Sequence, residues 1–67
     1  MDINIRKAVK DNFKNSNPED ILKAITDATS TNEEKVLPGL GVLFEELWKA
    51  SDDNFKNRIV DTLAKQL

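Results

Sequence analysis

Two glycines flank a leucine at Gly39-Leu40-Gly41, directly after Pro38 and directly before the apolar run Val42-Leu43-Phe44. Such a turn could hold an anion, because the first backbone N–H groups of a helix are unpaired and carry partial positive charge. A dinucleotide fingerprint also needs a preceding strand and a third glycine, and a phosphate loop needs Gly-Lys-Ser/Thr; neither pattern is present. The glycines therefore read as the start of a helix at Pro38, at a point where another backbone approaches closely. Carboxylates come in adjacent pairs, Glu19-Asp20, Glu33-Glu34, Glu45-Glu46 and Asp52-Asp53. Neighbours in sequence do not face each other on a helix, and three of the pairs sit where helix starts favour negative charge. They read as caps and solvated surface, not as an acid–base couple. The chain has neither cysteine nor histidine. That removes disulfides, thiolate metal sites and the commonest general base near neutral pH, so no catalytic, cofactor or metal residue is expected.

Two sets of residues could instead make contacts. Arg6, Lys7, Lys10 and Lys14 gather on one side of a first helix and form the candidate anion or nucleic-acid contact. They lie in a basic opening: residues 1–15 carry four basic and two acidic side chains, whereas residues 16–67 carry six and ten. Four charges without an interleaved aromatic would bind nucleic acid weakly and in a salt-sensitive way. A solvated helix face, or a pairing with the acidic part of a second copy, explains the same pattern. The other set is Leu40, Leu43, Phe44, Leu47 and Trp48, which share one face of a central helix with Glu45 and Lys49 as an i,i+4 pair opposite. This face reads either as core or as a surface for self-association or a partner, since tryptophan is enriched among interface anchors.

Helix is the only periodic structure on offer, because β-branched and polar residues never alternate and no hairpin turn appears. The expected fold is all-α, a small compact bundle of about four helices over residues 3–13, 18–29, 38–50 and 53–66, forming a single domain. Asp2 is a candidate cap for the first helix, whose apolar side is Ile5, Ala8, Val9 and Phe13. Asn17 caps the second and Pro18 suits its first position, with Ile21, Leu22, Ile25 and Ala28 as the buried stripe. Thr29 to Asn32 should end it. Thr31 and Glu34 have capping-box spacing for a short turn over 32–36, which cannot easily run on because Leu37 precedes proline. Ser51 to Asp53 offer caps for the fourth helix, with Phe55, Ile59, Val60, Leu63 and Leu67 at helical spacing. Asp11-Asn12-Phe13-Lys14-Asn15 recurs as Asp53-Asn54-Phe55-Lys56-Asn57. One copy closes a helix and the other opens one, so the echo reads as two core phenylalanines rather than a repeat.

A chain of 67 residues buries only about 60% of the surface its unfolded form exposes. Its core must be small, and a homodimer is an expected way to cover the remainder. The longest apolar run is far short of the roughly 20 residues that cross a bilayer, and no apolar leader stands at the N-terminus, so no membrane role is expected.

"EEKVLPGLGVLFEELW", Glu33 to Trp48, closely resembles the central segment of the small acid-soluble spore proteins of type I, and "MDINIRKAV", Met1 to Val9, is similar to that family's opening. Asn32, where the family tends to have glycine, and the lysine- and asparagine-rich stretch from Lys10 to Asn17 depart from the pattern. The resemblance implies a non-enzymatic protein made during sporulation and held in the spore core, with no assigned molecular role and no cofactor. It carries over no site residue. The major DNA-coating spore proteins are a different sequence family, and their motifs are absent here. The alternatives are an accessory nucleic-acid binder using the first helix, or a helical protein–protein interaction module.

Overall fold

Side-chain caps delimit most of the helices. Asn4 accepts a hydrogen bond from the Lys7 N–H at 2.9 Å and opens α1 (Ile5–Phe13). The expected cap Asp2 and the expected start at Ile3 lie outside the described residues: the computed structural model describes residues 4–67. Asn15, the one non-glycine residue at positive φ (66°) among these, turns the chain after α1, and the Ser16 N–H closes the turn on the Phe13 carbonyl. Asparagine tolerates this left-handed conformation better than most side chains. Asn17 then caps α2 (Pro18–Ser30) through the Asp20 N–H at 2.9 Å, with Pro18 where its missing N–H costs nothing. The hydroxyls of Thr29 and Ser30 bond back to the carbonyls of Ile25 and Thr26, and α2 ends at Ser30. Asp52 caps α4 (Asp53–Gln66) through the Phe55 N–H at 2.8 Å.

The entrance to α3 (Leu37–Ala50) differs from expectation. Thr31 forms no capping box with Glu34; its hydroxyl accepts from the Glu33 N–H instead, at 3.3 Å. A single 3-10 turn, Glu34–Val36, then runs directly into α3, and Leu37 is helical (φ −61°, ψ −42°) although proline follows it. Pro38 falls in the first turn of α3, where a missing N–H is tolerated. The Leu37 N–H takes the Glu34 carbonyl, the partner that position 38 would otherwise claim, so proline's lack of a donor leaves nothing unpaired. Gly39 and Gly41 also differ. Neither has positive φ, and a Cβ added to either would meet no atom within 4 Å. No other backbone approaches them, so close packing within the chain is not their reason.

The fold is all-α with four helices, and no strand occurs among the described residues. α3 is central: α1 packs on it most extensively, α2 and the 3-10 turn touch it, and α4 meets the other elements far less. The core is thinner than the apolar stripes suggest. Val42, 6% exposed, is the only buried residue among those described. In α2, Ile21 and Ala28 are half-buried while Leu22, 65% exposed, and Ile25 face water. In the echoed segments Phe13 is half-buried at the end of α1, but Phe55 at the start of α4 is exposed and is not core.

Two stability predictions follow from α3. Val42→Ala should cost about 1–2 kcal/mol, a large share of a small domain's stability, read from urea unfolding. Gly39→Ala and Gly41→Ala should each stabilise by about 0.5–1 kcal/mol, since helical glycine is costly and the added methyl meets nothing; destabilisation by either would show a contact that the isolated chain lacks.

Candidate functional site

α3 has two unlike sides, and α1 is docked on the more polar one. Val42, Glu45 and Glu46 lie on the side opposite Leu40, Phe44 and Leu47 by helical spacing. Asn4, Ile5 and Arg6 of α1 line one cleft together with Pro38, Gly41, Val42 and Glu45 of α3. Arg6 grips Glu45 with two parallel hydrogen bonds, Nε to Oε1 at 2.7 Å and a terminal nitrogen to Oε2 at 2.8 Å. One turn further along α1, the Lys10 ammonium lies 3.3 Å from Glu46. A bidentate arginine–carboxylate pair fixes orientation as well as distance. Exposed ion pairs add little stability individually, so burial of Val42 supplies the attraction and the charges select the face.

Three of the four basic residues singled out from the sequence therefore have acidic partners within the chain. Arg6 and Lys10 hold α3, and Lys7 pairs with Asp11 one turn away at 2.8 Å. For Lys14 no acidic partner occurs among the described residues. The Glu45–Lys49 pair expected along α3 is replaced: Lys49 lies 3.8 Å from Glu46, and Glu45 faces Arg6. Glu45 and Glu46 are thus the receptor for α1, a role not read from the sequence. The signal was present as the opposite charge of residues 1–15 and 16–67, but charge balance does not say which two carboxylates a helix will meet.

The apolar set is held together but only half covered. Leu40, Leu43 and Trp48 are half-buried, whereas Phe44 is 40% exposed and Leu47 45%. The Phe44 and Trp48 rings stack one turn apart, with centroids 6.0 Å from each other. α4 reaches this side near the Ser51–Asp52 corner, where the Lys56 ammonium sits 5.3 Å from the centre of the Trp48 ring, a cation–π contact. Further along, an open cleft separates α3 and α4. Phe44, Trp48, Val60 and Leu63 make its walls almost wholly apolar, with Glu45 and Lys49 at the rim. Among the described residues no group of three metal-capable side chains comes together and no helix is long and apolar enough to cross a membrane.

The ion pair gives the α1 contact a pH dependence. Hydrogen bonding from Arg6, aided by its charge, holds the Glu45 carboxyl below its ordinary value of 4.5. A carboxyl whose folded-state value is lowered stabilises the fold above the unfolded value and loses that contribution as pH falls through the folded one. The thermal midpoint should therefore fall below about pH 4.5, modestly because both partners are open to water. Glu45→Gln should lower the midpoint at pH 7 and show less of this acid-side loss; an unchanged acid slope in the variant would contradict the role of the pair.

The whole described fold has relatives in sequence. A family model described as small, acid-soluble spore protein I matches residues 3–67. A small, acid-soluble spore protein I of Geobacillus sp. (strain WCH70) is 49% identical over 63 residues, covering 94% of this chain and 89% of the relative. One of Bacillus velezensis is 48% identical over the same extent, and one of Bacillus cereus (strain G9842) is 43% identical over 67 residues, covering 100% of this chain and 97% of its own. No solved structure matches. The match to the family model over residues 3–67, with relatives 43–49% identical over 94–100% of the chain, places the chain in the small acid-soluble spore protein I family.

Proposed function

We propose that this spore protein is a non-enzymatic component of the spore core that works by binding another protein through the apolar face of α3 and α4. The observation that carries the reading is where α1 sits. By docking on Val42, Glu45 and Glu46 it leaves Phe44 and Leu47 open to water, and it pairs the charges of Arg6 and Lys10 with carboxylates. A nucleic-acid role would ask the reverse, a basic face free to release counterions from phosphate. The absence of histidine and cysteine from the sequence supports a binding role over a catalytic one.

Composition agrees with the family's acid solubility. Twelve carboxyl side chains offset ten basic ones near neutrality. Protonating all twelve in acid leaves the ten positive charges uncompensated, and such a chain repels its own copies strongly. The same protonation releases Glu45 from Arg6, so acid extraction would recover the chain with the α1 contact loosened.

The test is the size of the native complex in a neutral spore-core extract. The protein should sediment faster than its 7.6 kDa alone would allow, withstand nuclease, and lose the complex on Leu47→Ser. A complex that dissolves on nuclease treatment, or that Lys7→Glu with Lys10→Glu abolishes while Leu47→Ser does not, would overturn the reading in favour of nucleic acid.

A further inference from the structure

The surface left open by this fold has a size, and the size points to its occupant. Folded monomers of 7.6 kDa expose roughly 4,300 Å² of accessible surface. This chain exposes 5,942 Å², about 1,600 Å² more. Covering only half of that excess would remove about 800 Å² per chain, the contribution of each partner to a stable interface of standard size. Most of the uncovered large apolar side chains lie on two helices, Leu37, Phe44 and Leu47 on α3 and Phe55, Val60 and Leu63 on α4, with Leu67 directly after it; α1 exposes Ile5 and α2 exposes Leu22 and Ile25.

α4 adds an independent argument. It has 14 residues and packs little on the remainder of the chain, and isolated helices of about this length are marginal in water even with favourable sequences. Its apolar side needs a surface to lie on. The α3–α4 face also offers what a two-fold contact uses, an apolar hollow with a further exposed apolar side chain on the same helix. The cleft between Phe44, Trp48, Val60 and Leu63 is the hollow, and Leu47 stands beside it on α3. Lys49 and Glu45 mark its rim. Glu45 already has Arg6 as its partner, so apolar burial drives the contact, and a net charge of −2 gives little repulsion between copies.

We infer that the protein bound at this face is a second copy of the same chain, paired two-fold so that α3 and α4 of each copy form one four-helix core across the interface. This rests on the reading of the α3–α4 face as a protein-binding surface and names its partner. The pairing leaves the α1 side, with Val42 and Glu45, outside the contact.

The experiment is sedimentation equilibrium of the purified chain from about 1 µM to about 1 mM, read beside the emission of Trp48, the single tryptophan. Wild type should sediment as a dimer over the upper part of this range, with Trp48 emission shifting to the blue as dimer forms. Leu63→Glu and Val60→Glu alter exposed positions; each should weaken association about thirtyfold or more, as loss of an interface anchor does, while the monomer keeps its helical circular dichroism. Lys14→Glu, away from this face, should leave the dimer unchanged. A chain that stays monomeric to 1 mM overturns the inference, whereas the complex in spore extract is tested separately by Leu47→Ser and can survive that result. A dimer that persists in folded Leu63→Glu and Val60→Glu, or one in which Trp48 emission does not change, also overturns it.

Discussion

Everything in this fold turns on which side of α3 receives α1. A single buried side chain, Val42, supplies the apolar contact, and the Glu45 and Glu46 carboxylates beside it take Arg6 and Lys10. Neither part suffices alone. Val42 by itself could not outbid the larger stripe of Leu43, Phe44, Leu47 and Trp48 for an amphipathic helix, and exposed ion pairs contribute little energy on their own. Together they impose a geometry, because the arginine fork donates to a carboxylate in one plane. The consequence is a helix whose most apolar side remains available.

Small size makes this consequential. With α1 spent on the polar side, α2 touching α3 only slightly, and α4 loosely attached, the chain lacks the material to close its own apolar face. The resulting architecture hangs three helices on one, and its largest aromatic pair, Phe44 and Trp48, sits at a boundary and not at a centre. The Lys56 ammonium over Trp48 fits a boundary position: cation–π contacts tolerate water on one side where a core packing contact would not.

Much of the fold was legible in the sequence because caps act locally. Asn17-Pro18 and Asp52 announced helix starts that the backbone then used, and the three helices from Pro18 onward fall within about a residue of their expected limits. The PGLG segment was legible as a family signature and misread as a packing device. Helical periodicity finds an apolar stripe but does not say what covers it, so Leu22 and Phe55 read as core when they face water, and Leu47 could be read as either. The choice between the two sides of α3 depends on long-range pairing, Arg6 with Glu45 across 39 positions, and no local rule encodes it. The helical Leu37 before Pro38 was likewise hidden, since the pre-proline rule is a steric tendency and not a prohibition.

The most direct measurement of the central claim is a nuclear Overhauser map of the methyl contacts of α3 in the isotopically labelled chain at neutral pH. With α1 on its polar side, the Val42 methyls should show contacts to the first turn of α1, around Ile5, and the Leu47 methyls should show none to α1. Contacts joining Leu47 or Phe44 to Ile5, with Val42 silent, would place α1 on the apolar face and contradict the account.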